Sequence, residues 1–110
     1  MTKFMYIYSG GTEAQSSMRP EDMESMMKEW MAWGEKMGTK LLDFGSPVGQ
    51  GTTVSASGEE KPSAGDVTGY SIIEAESLAA AVAESKTHPH LRTSSGCSIS
   101  VHEIYPAPGM

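Results

Sequence analysis

Apolar residues follow two different rhythms along this chain, and the change from one to the other marks out the elements. Lys3 to Tyr8 is an aromatic and apolar run closed by Gly10-Gly11, a pattern that predicts a strand ending in a turn. Its apolar residues occupy both parities, so both faces are expected to be covered, as in a central strand. A polar stretch from Thr12 to Ser17 follows, and then the period changes. Met23, Met26, Met27, Trp30, Trp33 and Met37 recur at gaps of three and four, making one stripe along a helix of about five turns. Pro20 suits the first helical turn, Glu21 and Asp22 suit the positive end of the helix dipole, and Lys36 with Gly38 marks the stop.

Leu41-Leu42-Asp43-Phe44 predicts a second strand running to Gly45. From there to Gly69 the composition turns to Gly, Ser, Pro and Thr. Thr52 to Ala56 is expected as a strand hairpinned back through Gly49-Gln50-Gly51, and Gly58 to Asp66 as an exposed loop. Tyr70 to Ala75 predicts the next strand. A second helix begins near Glu76-Ser77, with Leu78, Ala79, Val82 and Ala83 as the candidates to face inward. It must end by Thr87, because His88 precedes a proline and is pushed out of the helical region. Ser98 to Ile104 is the last strand, and Tyr105 to Met110 is an extended, proline-containing tail.

The order β-α-β-(β)-β-α-β predicts an α+β, ferredoxin-like βαββαβ fold with an extra β-hairpin, as a single domain over residues 1–110. Right-handed crossovers put both helices on one face of an antiparallel sheet. Strands apolar on both parities then need cover on the other face, and a second copy of the chain would supply it. A homodimer is therefore expected.

Charge narrows the partners. The net charge is −6 and the eight basic residues are scattered singly, which argues against nucleic acid and against an anionic membrane surface. No apolar run approaches the roughly 20 residues that span a bilayer. The N-terminus reads as a strand rather than a signal peptide. A single cysteine, Cys97, rules out an internal disulfide and fits a reducing compartment, so a cytoplasmic location is expected. Nothing in the sequence calls for a cofactor or a metal.

Candidate chemistry is sparse. In an extended His88-Pro89-His90 segment both imidazoles would face one side, near the negative end of the second helix, where proton transfer is feasible. Asp43 is an acid inside an apolar strand, and a dyad of Asp43 with His88 or His90 would make a general base. Ser46 and Tyr70 are candidate hydrogen-bonding groups for a ligand in the same cavity. His102 is expected to face away from the core. The methionines of the long helix read as adaptable core packing against the sheet. Two functions remain open: a small-molecule enzyme using His/Asp acid–base chemistry, and a non-catalytic dimer that binds a small ligand or supports another protein.

The stretch Thr68-Gly69-Tyr70-Ser71-Ile72-Ile73-Glu74-Ala75-Glu76-Ser77-Leu78, followed by a helix and by Ser98 to Ile104, resembles the YCII-related family, including its DGPF-type branch. The first strand, the Trp-bearing helix with Pro-Glu at its start, and Leu41-Leu42-Asp43-Phe44-Gly45-Ser46-Pro47 are similar to that family too. The resemblance implies a dimeric α/β-barrel built from two face-to-face ferredoxin-like sheets. It does not bring the family's chemistry with it. Lys61-Pro62-Ser63-Ala64-Gly65-Asp66 stands where the branch has Asp-Gly-Pro-Phe, and the long helix lacks the histidine that in some members pairs with an aspartate.

Overall fold

Alternation along the first strand decides the architecture. In a computed structural model of the chain, which describes residues 1–107, β1 (Thr2–Ser9) buries Phe4, Tyr6 and Tyr8 on one face and leaves Met5 and Ile7 half-buried on the other. The chain continues through a short helix α1 (Thr12–Ser16), the long helix α2 (Pro20–Met37), a 3-10 turn (Gly38–Lys40) and β2 (Leu41–Asp43). A hairpin of β3 (Thr52–Val54) and β4 (Glu60–Pro62) follows. Then come β5 (Val67–Ala75), α3 (Leu78–Ser85), a second 3-10 turn (Pro89–Arg92) and β6 (Ser98–Glu103).

The main sheet has four strands in the order β2-β5-β1-β6, every neighbour antiparallel. Phe4 stands opposite Ile73, and Tyr6 opposite Ser71 and Val101, so these side chains share one face. Trp33 and Met37 of α2 and Ala81 of α3 complete the core on that face. Each fully buried large side chain there contributes roughly 1.5–3 kcal/mol. The Tyr6 hydroxyl donates to the Ala81 carbonyl at 2.5 Å, which fastens α3 to the sheet. The result is one sheet layer and one helix layer, with a shortest dimension of 20 Å.

Ser77 settles where the second helix begins. Its side chain accepts from the Ala80 N–H at 3.1 Å, so it is the cap and the helix starts at Leu78. Gly45 is the one residue able to turn the chain after β2. Its φ is +82°, and a Cβ there would lie 1.7 Å from the Tyr70 carbonyl oxygen.

Four expectations change. Thr12 to Ser17 contains the short helix α1, whose polar sequence carries no apolar period to announce it. Residues 52–54 do not fold back through Gly49-Gln50-Gly51 onto the second strand. They pair with Glu60–Pro62 inside the segment expected as a loop, in a separate two-stranded sheet closed over residues 55–58. The stripe of α2 is only half used: Trp33 and Met37 are buried and Met26 and Trp30 are half-buried, but Met23 and Met27 are 45% and 51% exposed. The first turns of α2 carry no buried residue, and burial is concentrated toward its C-terminal half. Finally, α3 turns Ala81 and Ser85 inward, while Leu78 and Ala79, expected to face the core, are exposed. The expected extended tail is irregular over 104–107, and its last residues, 108–110, lie outside the described residues.

Candidate functional site

His88-Pro89-His90 enters the core instead of lining a cleft. The following proline holds His88 extended, at φ −71° and ψ 135°, and the chain then tightens into the 3-10 turn Pro89–Arg92. His88 caps that turn, its Nδ1 accepting from the His90 backbone N–H at 2.9 Å. A nitrogen that accepts carries no proton, so the ring proton of His88 is on Nε2. Nε2 lies 3.1 Å from the Tyr8 hydroxyl and donates to it. The Tyr8 hydroxyl donates to Ser71 Oγ at 2.7 Å, and Ser71 Oγ donates to the Phe44 carbonyl at 2.6 Å.

The direction of this chain of hydrogen bonds is fixed at both ends. The His90 N–H can only donate, and the Phe44 carbonyl can only accept. His88, Tyr8 and Ser71 are all essentially fully buried. Each residue is placed by its element. Tyr8 ends the inward row of β1, and Gly69 opposite it leaves room for the ring, since a Cβ there would lie 3.3 Å from Tyr8 Cδ2. Ser71 is the polar member of the inward row of β5.

Aromatic rings close the site. Trp30 and Trp33 pack on the His88 ring with centroids 4.4 and 4.3 Å away, and Trp30 also meets Tyr8 edge-on at 5.0 Å. Both indole N–H groups are buried without a hydrogen-bond partner. His90 packs on Tyr8 at 5.2 Å, and its Nε2–H donates to the Ser9 carbonyl at 2.8 Å.

These surroundings govern titration. Burial, with smaller contributions from His90 and Arg92, lowers the pKa of His88 from 6.5 to about 3. A second proton on the ring would also set an N–H against the His90 N–H. Burial raises Tyr8 from 10.0 to about 12, partly offset by its bond to Ser71. The cluster is built to hold a neutral imidazole, not to exchange protons near neutral pH.

The remaining candidates lie elsewhere. Asp43 is exposed at the sheet edge, and its Oδ1 accepts from the Gly45 N–H at 2.8 Å. Among the described residues it makes no hydrogen bond to His88 or His90, so the dyad is not assembled. Ser46 is exposed in the loop after β2. Tyr70 is half-buried on the opposite sheet face, paired with Ile7. His102 is exposed on that face as well, paired with Met5. Two shallow hollows, of about 200 and 230 Å³, run between α2 and the Pro89–Arg92 turn, and the Arg92–Glu29 ion pair joins them. Neither is lined by His88, His90, Asp43, Ser46 or Tyr70. No group of three His, Cys, Asp or Glu side chains converges among the described residues.

Sequence reasoning found the two histidines and missed their partners. Tyr8 and the two tryptophans read as ordinary core aromatics, and a serine within an apolar strand carries no local signal that a tyrosine 63 positions earlier donates to its oxygen. In comparisons with known proteins, no family model and no curated protein matches this chain.

Proposed function

We propose that the chain is a non-catalytic ferredoxin-like module that works in the cytoplasm as a homodimer, the open faces of two sheets packed together. One observation carries this reading: the sheet is unequally covered. Its helix side is sealed by Trp33, Met37 and Ala81, while Met5, Ile7, Tyr70 and Ile72 form an apolar centre on the other side, over which none of the described helices packs. All four side chains are half-buried in the single chain, and a second sheet packed over them would bury the remainder.

The strand order supports the ferredoxin-like description, since β6-β1-β5-β2 is the order that a split βαβ chain produces. It also agrees with the resemblance to YCII-related proteins and with the dimeric barrel which that resemblance implies. Acid–base catalysis by Asp43 with a histidine has less support. Both nitrogens of His88 are engaged in the core, and Asp43 is held by its own turn. The module reading leaves room for a small ligand, with the buried His–Tyr–Ser chain acting to hold the Pro89–Arg92 turn rigidly against the sheet.

Sedimentation velocity over a range of concentrations tests the proposal. The wild type is expected to sediment as a dimer, and Ile72→Lys, which sets a charge in the middle of the patch, as a folded monomer. A wild type that stays monomeric at every concentration would overturn it.

A further inference from the structure

The open face carries a charge pattern that selects its partner. Strand register sets the residues out in rows across the sheet. One row reads His102, Met5, Ile72, Asp43 from β6 to β2. The next, toward the start of β1, contains Lys3 beside Glu74, and the next in the other direction runs Ser100, Ile7, Tyr70. Asp43 and His102 are both exposed and stand three strand intervals apart, about 14 Å at the usual strand spacing. Among the described residues, none of Lys3, Glu74, Asp43 and His102 forms an ion pair within the chain.

On the proposed sheet-to-sheet dimer, we infer that the two-fold axis runs parallel to the strands, so that Asp43 of each copy meets His102 of the other. Such an axis keeps every row at its own height and reverses the strand order. β2 then lies over the partner's β6, and β5 over the partner's β1. Lys3 comes over the partner's Glu74, Met5 over the partner's Ile72, and Ile7 over the partner's Tyr70. Every charge meets its opposite or an imidazole, and every apolar side chain meets an apolar one. The usual twist between packed sheets, about 30°, displaces the outer positions but keeps the rows in order.

The alternative axis, across the strands, lays each strand over its own copy and turns the rows end for end. Lys3 and Glu74 then face the far end of the sheet, around Ser9 and Val67, where the neighbouring acid, Asp66, already accepts from the Thr12 hydroxyl. Electrostatic complementarity of this sort fixes register and excludes wrong partners. The area makes that role decisive. The four strands average about six or seven residues, β2 having only 3, and offer roughly 400 Å² per copy, so the pair buries on the order of 800–900 Å², below the roughly 1,200 Å² of a stable specific interface. A partner that matches the rows is therefore favoured over any apolar surface, and the chain itself is such a partner.

Charge exchange tests the pairing. His102→Asp alone places two carboxylates together twice per dimer and is expected to weaken the dimer by about tenfold or more, whereas Asp43→Lys alone only removes the carboxylate that faces the imidazole and is expected to weaken it less. The double variant Asp43→Lys/His102→Asp restores opposite charges and is expected to recover the wild-type dissociation constant. The two side chains are too far apart within one chain to rescue each other there. Lys3→Glu/Glu74→Lys supplies an independent second exchange, and circular dichroism with thermal melts checks that each variant is folded. A wild type that dimerises while neither double variant regains affinity would overturn the axis and leave the dimer standing. A monomeric wild type would overturn both.

Discussion

Tyr8→Phe is the most direct test of the buried hydrogen-bond chain, because it removes one oxygen and leaves the ring packing in place. Tyr8 accepts from His88 Nε2–H at 3.1 Å and donates to Ser71 Oγ at 2.7 Å, all three groups being buried. Without the hydroxyl, Ser71 keeps its bond to the Phe44 carbonyl and loses only a donor to a lone pair, which is a small loss. His88 fares worse. Its Nε2–H is left buried between two indole rings with no acceptor, and its proton cannot move to Nδ1 because the His90 N–H occupies that site. An orphaned buried donor costs about 1–3 kcal/mol, and the lost net bonds add about 1, for roughly 2–4 kcal/mol in all. In a domain of this size each kcal/mol moves the melting temperature by about 4 °C, so Tm should fall by roughly 8–16 °C. Urea unfolding at one fixed protein concentration gives the free energy directly. Ser71→Ala and the double variant complete a cycle whose coupling energy should exceed about 0.5 kcal/mol. A Tyr8→Phe cost below about 0.5 kcal/mol, with additive singles, would show that the chain of hydrogen bonds does not hold the fold.

Stability should also depend on pH through His88. The unfolded chain takes up this proton near pH 6.5 and the folded chain only near 3, so between those values the unfolded state binds more protons. Stability from this group is then complete above the unfolded value and declines as pH falls, by on the order of 3 kcal/mol at about pH 4. Urea titrations at a series of pH values read the slope, and a flat profile across the window would refute a neutral buried imidazole. Gly45→Ala should cost about 3 kcal/mol or more, since both its positive φ and the Tyr70 carbonyl oppose a Cβ. Gly38→Ala, at φ +57° and ψ −128° but with open space around it, should cost less, about 1–3 kcal/mol, and equal melting temperatures for the two would contradict the close approach at Gly45.

Local pattern was enough to place the strand from Lys3 to Tyr8, the helix from Pro20 to Met37, the strand through Tyr70 to Ala75 and the last strand. Each of these has a period that reports which side meets an apolar surface, and such a period is a property of neighbouring residues. The α+β order and the antiparallel sheet followed from chaining those elements with short connections. Packing decided the rest. Met23 and Met27 belong to the helical stripe as surely as Trp33 does, but burial depends on where α2 meets the sheet, and that contact is concentrated toward its C-terminal half. The partner of β3 was a charged segment around Lys61, chosen by turn geometry and not by apolar content. His88 and His90 were legible as unusual, but whether they face solvent or core depended on Tyr8, Ser71 and the two indoles, brought together from three other elements. Asp43 drew attention as an acid in a strand, and its turn with Gly45 and its row opposite Ile72 became visible only once register was set. Hydrophobic period is written residue by residue, whereas the protonation state of a buried imidazole is set by groups up to 80 positions away, and only the assembled fold brings them within hydrogen-bond reach.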